Sequence, residues 1–170
     1  QHSQGDVWLG RQSGEGVARL HPETGTVEQI ELHEQLAADP NRPAPPMQVT
    51  DLVEDGQGNV WVAVIRDGLY MVDDQLHITS YAVPKGVADE HTLAVAQINV
   101  LTVDNDDTLW IGYEGGELSH LDPATGLFTH YFADLEGNPG GKVNDILVSE
   151  NGRLWLATNE GLTHFDPETE

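Results

Sequence analysis

Eight histidines stand among 29 acidic residues in a chain of 170. Imidazoles beside carboxylates are the material of zinc sites and of acid–base pairs. His120 and His164 hold one register in successive copies of a repeat, where earlier copies carry Arg19 and Met71. No His-x₂₋₄-His spacing accompanies them, and His33-Glu34 opens an HExxH pattern that Ala37 breaks. They read as a tolerated polar position, and no metal is expected. Asp104-Asn105-Asp106-Asp107 has the acidic start of a calcium loop but lacks its glycine at the sixth position and its distal Glu. It reads as a hairpin turn. Glu114-Gly115-Gly116-Glu117 follows a Trp strand rather than opening a helix, so it is also a turn. GxSxG, P-loop and dinucleotide fingerprints are absent, and neither a catalytic residue nor a cofactor is expected.

The elements that would position any site are set by a repeat. Trp8, Trp61, Trp110 and Trp155 sit in VWLGR, VWVAV, LWIGY and LWLAT, and a small residue follows two positions on: Gly10, Ala63, Gly112 and Ala157. VTDLVED, INVLTVD and VNDILVS each end six residues before their Trp, joined to it by GQGN, NDDT and ENGR. Those turns carry the Gly, Asn and Asp that tight hairpins require. GVARL, GLYMV, ELSHL and GLTHF come next, then turns of the DPxTG type, then TVEQIEL, LHITSYAV and LFTHYF. Four short strands in a unit of about 40–50 residues indicate a β-propeller. The fold class is all-β, built of four-stranded antiparallel meanders.

Two connections break the rhythm. Leu36 to Gln48 holds four prolines and reads as extended; Pro84 to Ala96 is long enough for one helical turn. Asp134 to Lys142 fills the same slot between units. Insertions at one slot of a repeat emerge on one face, often the binding face.

The formal net charge of −22 would repel phosphate backbones and anionic lipid; no nucleic-acid partner is expected, and peripheral membrane binding is disfavoured. Only Lys85 and Lys142 are lysines, and such an acidic surface suits a salty, extracytoplasmic medium. Without cysteine there is no disulfide framework or thiol nucleophile. No run reaches the roughly 18 apolar residues of a membrane span. An opening Gln1 without a signal-peptide pattern points to an excised piece.

DILVSENGRLWLATNEGLTHFDP (Asp145 to Pro167) and VLTVDNDDTLWIGYEGGELSHLDP (Val100 to Pro123) resemble the two-component regulator propeller repeat. Val53 to Asp73 is a third copy and Gly5 to Pro22 a partial one. Ser149 departs from the repeat's Asp, and Arg11, Val64 and Tyr113 from the Thr that closes the Trp strand. The resemblance implies a periplasmic ligand-sensing module of a membrane-bound bacterial sensor. Its output, a histidine kinase or diguanylate cyclase, would lie outside these residues, so this segment is not expected to be an enzyme.

The units fall at 5–34 (partial), 49–83, 98–132 and 143–170 (partial), about three and a half blades within a single domain of 1–170. That is a partial propeller: either a piece of a longer one or an open arc whose exposed blade edges associate with another copy. The four tryptophans could stack on a sugar but read better as inter-blade packing. For an unknown small molecule or glycan, the expected contacts are polar residues entering the first strand of each unit: Thr50, Asp51, Asn99, Asn144 and Asp145. On the family geometry these ring a channel mouth. Arg66 and Asn159, in turns after the Trp strand, come second. Two alternatives stand beside the sensor. One is an enzyme similar to streptogramin lyase, which needs a convergent His–acid pair; the other is a propeller that only docks proteins.

Overall fold

Apolar and β-branched runs between Gly, Asn and Asp turns leave the backbone one economical choice, the antiparallel meander. The structure, a computed structural model, describes residues 5–11, 16–32, 47–81, 88–131 and 141–169. His33-Glu34 and most of the three connections lie outside the described residues. Strands β1 (Val7–Gly10), β2 (Val17–His21) and β3 (Thr26–Ile30) form the first sheet. The second holds β4 (Val49–Glu54), β5 (Val60–Val64), β6 (Gly68–Val72) and β7 (Ile78–Tyr81). The third holds β8 (Ile98–Val103), β9 (Leu109–Tyr113), β10 (Leu118–Asp122) and β11 (Leu127–Tyr131). The fourth holds β12 (Val143–Val148), β13 (Leu154–Thr158) and β14 (Gly161–Phe165). Every pairing is antiparallel between sequence neighbours, as in propeller blades. Among the described residues the end blades have three strands each and the middle blades four, which makes a partial propeller.

The core is split into three clusters, one at each junction between blades. Trp8, Val17 and Ile30 of the first blade meet Val60, Val62 and Tyr70 of the second. Trp61, Ala63 and Leu69 meet Leu109, Ile111 and Phe128 of the third. Trp110 and Leu118 meet Ile146, Leu154 and Leu156 of the fourth. Side chains alternate across a strand, so one face of each blade carries the Trp and packs forward, while the other packs backward. Central strands of the middle blades, β5 and β9, are therefore buried along their whole length. β13 instead alternates, because only its backward face is covered.

The small residue two places after each Trp now has its cause. A Cβ on Gly112 would come within 2.8 Å of Val143 Cγ1, and one on Gly10 would meet Val49. The first residue of the following blade rests on that spot.

Two expectations change. Trp8, Trp61 and Trp110 are buried between blades as packing elements, but Trp155 is exposed, since no described strand covers its face. The described part of the Pro84 to Ala96 connection contains no helix; it makes a turn closed by the Thr92 N–H donating to the Asp89 carbonyl. Leu93 from this segment is buried against the second and third blades. The Glu90 carbonyl accepts from Phe128 N–H and the Tyr113 hydroxyl accepts from Ala94 N–H, so the segment is bonded into the fold.

Candidate functional site

The innermost strands β4, β8 and β12 each begin with a bulge, at Val49/Asp51, Ile98/Val100 and Val143/Asp145. A bulge turns the extra residue out of the ladder. That residue is Thr50, Asn99 or Asn144, and the first two point toward the next blade. The Thr50 hydroxyl donates to the Ile98 carbonyl at 3.0 Å, and Asn99 Nδ2 donates to the Val143 carbonyl at 2.6 Å. Asp51 accepts from Leu52 N–H with one oxygen and, with the other, from Leu101 N–H of the third blade at 2.8 Å. Burial pushes the Asp51 carboxyl above its usual value; the two main-chain donors oppose this, and the nearby Asp145 charge adds to it. Thr50, Asp51 and Asn99 thus tie blades together at their inner ends.

Asn144 and Asp145 stand in the same bulge of the fourth blade, exposed. Asn144 Nδ2 donates to Asn159 Oδ1 at 2.9 Å, and Asp145 accepts from Ile146 N–H of its own strand at 3.0 Å. So the structure brings Asn144 and Asn159 together. Arg66 is exposed in the turn after β5, in the left-handed region at φ 62°, and its N–H donates to the Ala96 carbonyl. Antiparallel order puts the starts of the first strands and the turns after the Trp strands at one end of every blade. All seven sequence-predicted residues therefore lie on one end of the arc. A Lys142–Glu114 ion pair at 3.0 Å joins the third and fourth blades on that end.

The opposite end holds a crevice of about 400 Å³ between the third and fourth blades. Asp104, Trp110 and His120 line it from one side, Arg153 and Asp166 from the other. The crevice has a sequence cause. The hairpin before each Trp needs one left-handed residue, filled by Gly58 (φ 86°), Asp107 (φ 59°) and Gly152 (φ 78°). Asp107 reaches across to Gly56 N–H of the second blade at 2.8 Å, closing that junction. Gly152 has no side chain to do the same, and the next junction stays open. Repeat alignment at this turn would have signalled the crevice, which the motif reading missed.

Within it, Thr108 Oγ1 donates to Asp104 Oδ2 at 2.6 Å and accepts from His120 Nε2, whose ring stacks on Trp110 at 4.2 Å between centroids. Burial holds the His120 imidazole below its usual pKa, only partly offset by the Asp104 carboxylate. For Asp104, burial pushes upward, but hydrogen bonds from Thr108 and the main-chain N–H groups of Asp106 and Thr108 outweigh it and lower the pKa. Arg153 Nε donates to Asp166 Oδ2 at 2.8 Å. Because the Thr108 hydroxyl proton goes to Asp104, His120 Nε2 is the donor of the second bond, and the three side chains hold one another in place. Elsewhere Ser119 Oγ bonds His130 Nδ1, yet Ser119 is fully buried and His130 Nε2 reaches the Asp89 carbonyl. That chain anchors the 88–95 segment. Among the described residues no three His, Asp or Glu side chains gather to hold a metal.

Residues 43–66 and 137–160 match the two-component regulator propeller family. A search of curated proteins gives no match. The extracellular domain of the hybrid two-component system BT3049 from B. thetaiotaomicron is similar over 99% of this chain at 25% identity, with a TM-score of 0.74. That of BT4673 from the same organism is similar over 99% at 20% identity and 0.72. The Dos1 propeller, 16% identical over 97% of the chain with a TM-score of 0.62, shares the fold. The chain covers 21%, 22% and 44% of these three proteins' lengths. With its Trp strands stacked blade on blade, this is an all-β partial propeller, two stretches of which match the two-component regulator propeller family.

Proposed function

We propose that the chain is the extracytoplasmic, non-catalytic ligand-sensing part of a membrane-bound bacterial signalling protein, a two-component sensor or a diguanylate cyclase. The likeness to the BT3049 extracellular domain across 99% of the chain carries this reading. The ligand, a small molecule or glycan, rests on the end of the arc where Arg66, Asn144, Asp145 and Asn159 are exposed. Thr50, Asp51 and Asn99 lie beneath as the bonds between blades, so a ligand spanning two blades changes the strain on those bonds. A conformational preference passed to the rest of the sensor protein follows from such differential binding. A net charge of −22 favours neutral or cationic ligands over anionic ones.

Calorimetric titration of the chain with a panel of neutral oligosaccharides and amino compounds tests the reading. Binding weakened at least about tenfold by Asn144→Ala with Asn159→Ala, at unchanged melting temperature, supports it. Binding weakened instead by Arg153→Ala would move the site to the opposite crevice. Turnover of any probe would favour the lyase alternative, which would draw on His120 and Asp104. Absence of binding throughout the panel leaves a protein-docking propeller and sinks the sensor reading for this segment.

A further inference from the structure

Residues 88–97 run along the third blade from its outermost strand, β11, to the start of its innermost, β8, and are not themselves a strand. Their outer half is a turn that holds its own shape. Thr92 N–H donates to the Asp89 carbonyl, His91 N–H to Asp89 Oδ1, and Asp89 N–H to Thr92 Oγ1. Asp89, Glu90 and His91 are exposed. Few bonds fasten this turn to the blade. His130 Nε2 donates to the Asp89 carbonyl at 2.9 Å, and Phe128 N–H to the Glu90 carbonyl at 2.8 Å. A carbonyl only accepts, so His130 carries a proton on Nε2, while its Nδ1 meets the buried Ser119 hydroxyl. Further in, Ala94 N–H donates to the Tyr113 hydroxyl, and Leu93 is buried in one cluster with Trp61, Leu69 and Tyr113. At the inner end the Ala96 carbonyl accepts from Arg66 N–H of the second blade. Arg66 stands in the left-handed region at φ 62°, a conformation that costs energy in any residue with a side chain.

We infer that residues 88–97 are a strap that opens and closes as one unit over the junction of the second and third blades, fastened at Arg66 and at His130. Opening it breaks the bonds of Arg66, Ala94, Phe128 and His130 and withdraws one aliphatic side chain. The turn at 89–92 keeps its internal bonds, and the blades keep their strand ladders. A segment attached by so few contacts opens at lower free energy than the whole fold. Leu93 makes the opening cooperative. It lies between the two fastenings, four residues from Asp89 and three from Ala96, and cannot leave the core while both ends stay bonded. The strap's use rests on the ligand reading above. A ligand held by the exposed Arg66 side chain also fixes the Arg66 main chain and, through Ala96, favours the closed strap. Closure then carries the event to His130 at the outer edge of the third blade, and by reciprocity a tighter clasp at His130 strengthens ligand binding at Arg66.

Native-state hydrogen exchange of the 170-residue chain, followed by NMR, tests the strap, because the Arg66, Ala94 and Phe128 amides each donate across its boundary. One opening equilibrium is expected for all three, more frequent than that of the β5 and β9 amides. His130→Phe keeps a ring stacked beside Phe128 and removes the Nε2 donor. It should speed exchange of the three amides by one common factor of about fivefold, with β5 and β9 unchanged. Leu93→Ala, the second variant, should raise the three together by a larger factor. Phe128 speeding up alone, with Arg66 as in the parent, would mean independent fastenings and overturn the inference. So would three amides that exchange with β5 and β9 in the parent. A neutral oligosaccharide that binds in calorimetry should slow the three together; unchanged exchange on binding overturns the relay. Absence of any binding sinks the ligand reading and leaves the strap to be decided by the three amides alone.

Discussion

Asp107 accepts a hydrogen bond from the Gly56 main chain at 2.8 Å, and this one carboxylate latches the third blade to the second at the hairpin end. A Cβ at Gly56 would collide with that carboxylate, so a latch and its receiving glycine go together. Asp107→Gly isolates the bond, because glycine adopts the left-handed conformation without strain. The expected loss is about 1 kcal/mol by urea unfolding. Gly152→Asp should do the reverse at the next junction, reaching Asn105 N–H, narrowing the crevice and raising the melting temperature. A fall on Gly152→Asp would mean that the crevice is already occupied by side chains in solution.

The clearance beneath each tryptophan is a second measurable quantity. Gly112→Val should destabilise the chain by about 1–3 kcal/mol or more, because its methyls enter space held by Val100 and Val143. Ala157→Val, at the same register of the fourth blade, has no described strand above it and should cost this 170-residue chain no more than about 0.5 kcal/mol. Equal losses at the two positions would refute the account of blade spacing given by Gly10 and Gly112.

Much of this is legible in the sequence. The Trp at a fixed register and the small residue two places later read directly as a stacking interface, since only repeated packing demands a bulky and a small residue at constant offset. The blade partition into three, four, four and three strands followed from turn chemistry. The bulged residues were harder. Asn99 at the start of a strand looks like a polar contact for a ligand, and nothing local reveals that the Val143 carbonyl, 44 positions away, accepts its amide. The crevice is legible only by aligning the turns before each Trp, because it arises from a side chain that Gly152 does not have where Asp107 has one. Trp155 shares the sequence pattern of Trp61, and its exposure depends on what stacks above it.

His120 makes stability depend on pH. Its folded pKa lies below the free value of 6.5, with burial as the main cause. As pH falls through 6.5 the unfolded chain takes up a proton that the folded chain refuses, so stability present above that value is lost progressively below it. His120→Met copies the residue at this register in the second blade, Met71, and should flatten the loss between pH 6.5 and the carboxylate range. Asp104, whose folded pKa is depressed, acts in a lower window: its contribution is present above 3.8 and fades as pH drops below. An unchanged slope just below pH 6.5 in His120→Met would show that another histidine governs it.

Asn99 and Asn144 separate a structural role from a binding one. Both occupy the same bulge, yet Asn99 bonds a buried neighbour's carbonyl while Asn144 bonds the exposed Asn159. Truncating Asn99 leaves the Val143 carbonyl without that donor in the interior, and Asn99→Ala should cost about 1–2 kcal/mol. Asn144→Ala removes only solvent-exposed bonds and should change stability by less than about 0.5 kcal/mol in dilute solution. The comparison bears on function because the proposed ligand contacts must be replaceable without unfolding the protein. Urea titrations at low protein concentration check it. A loss at Asn144 as large as that at Asn99 would mean that the fourth blade's bulge carries fold energy, and the ligand contacts would then have to come from Arg66 and the turn after β13.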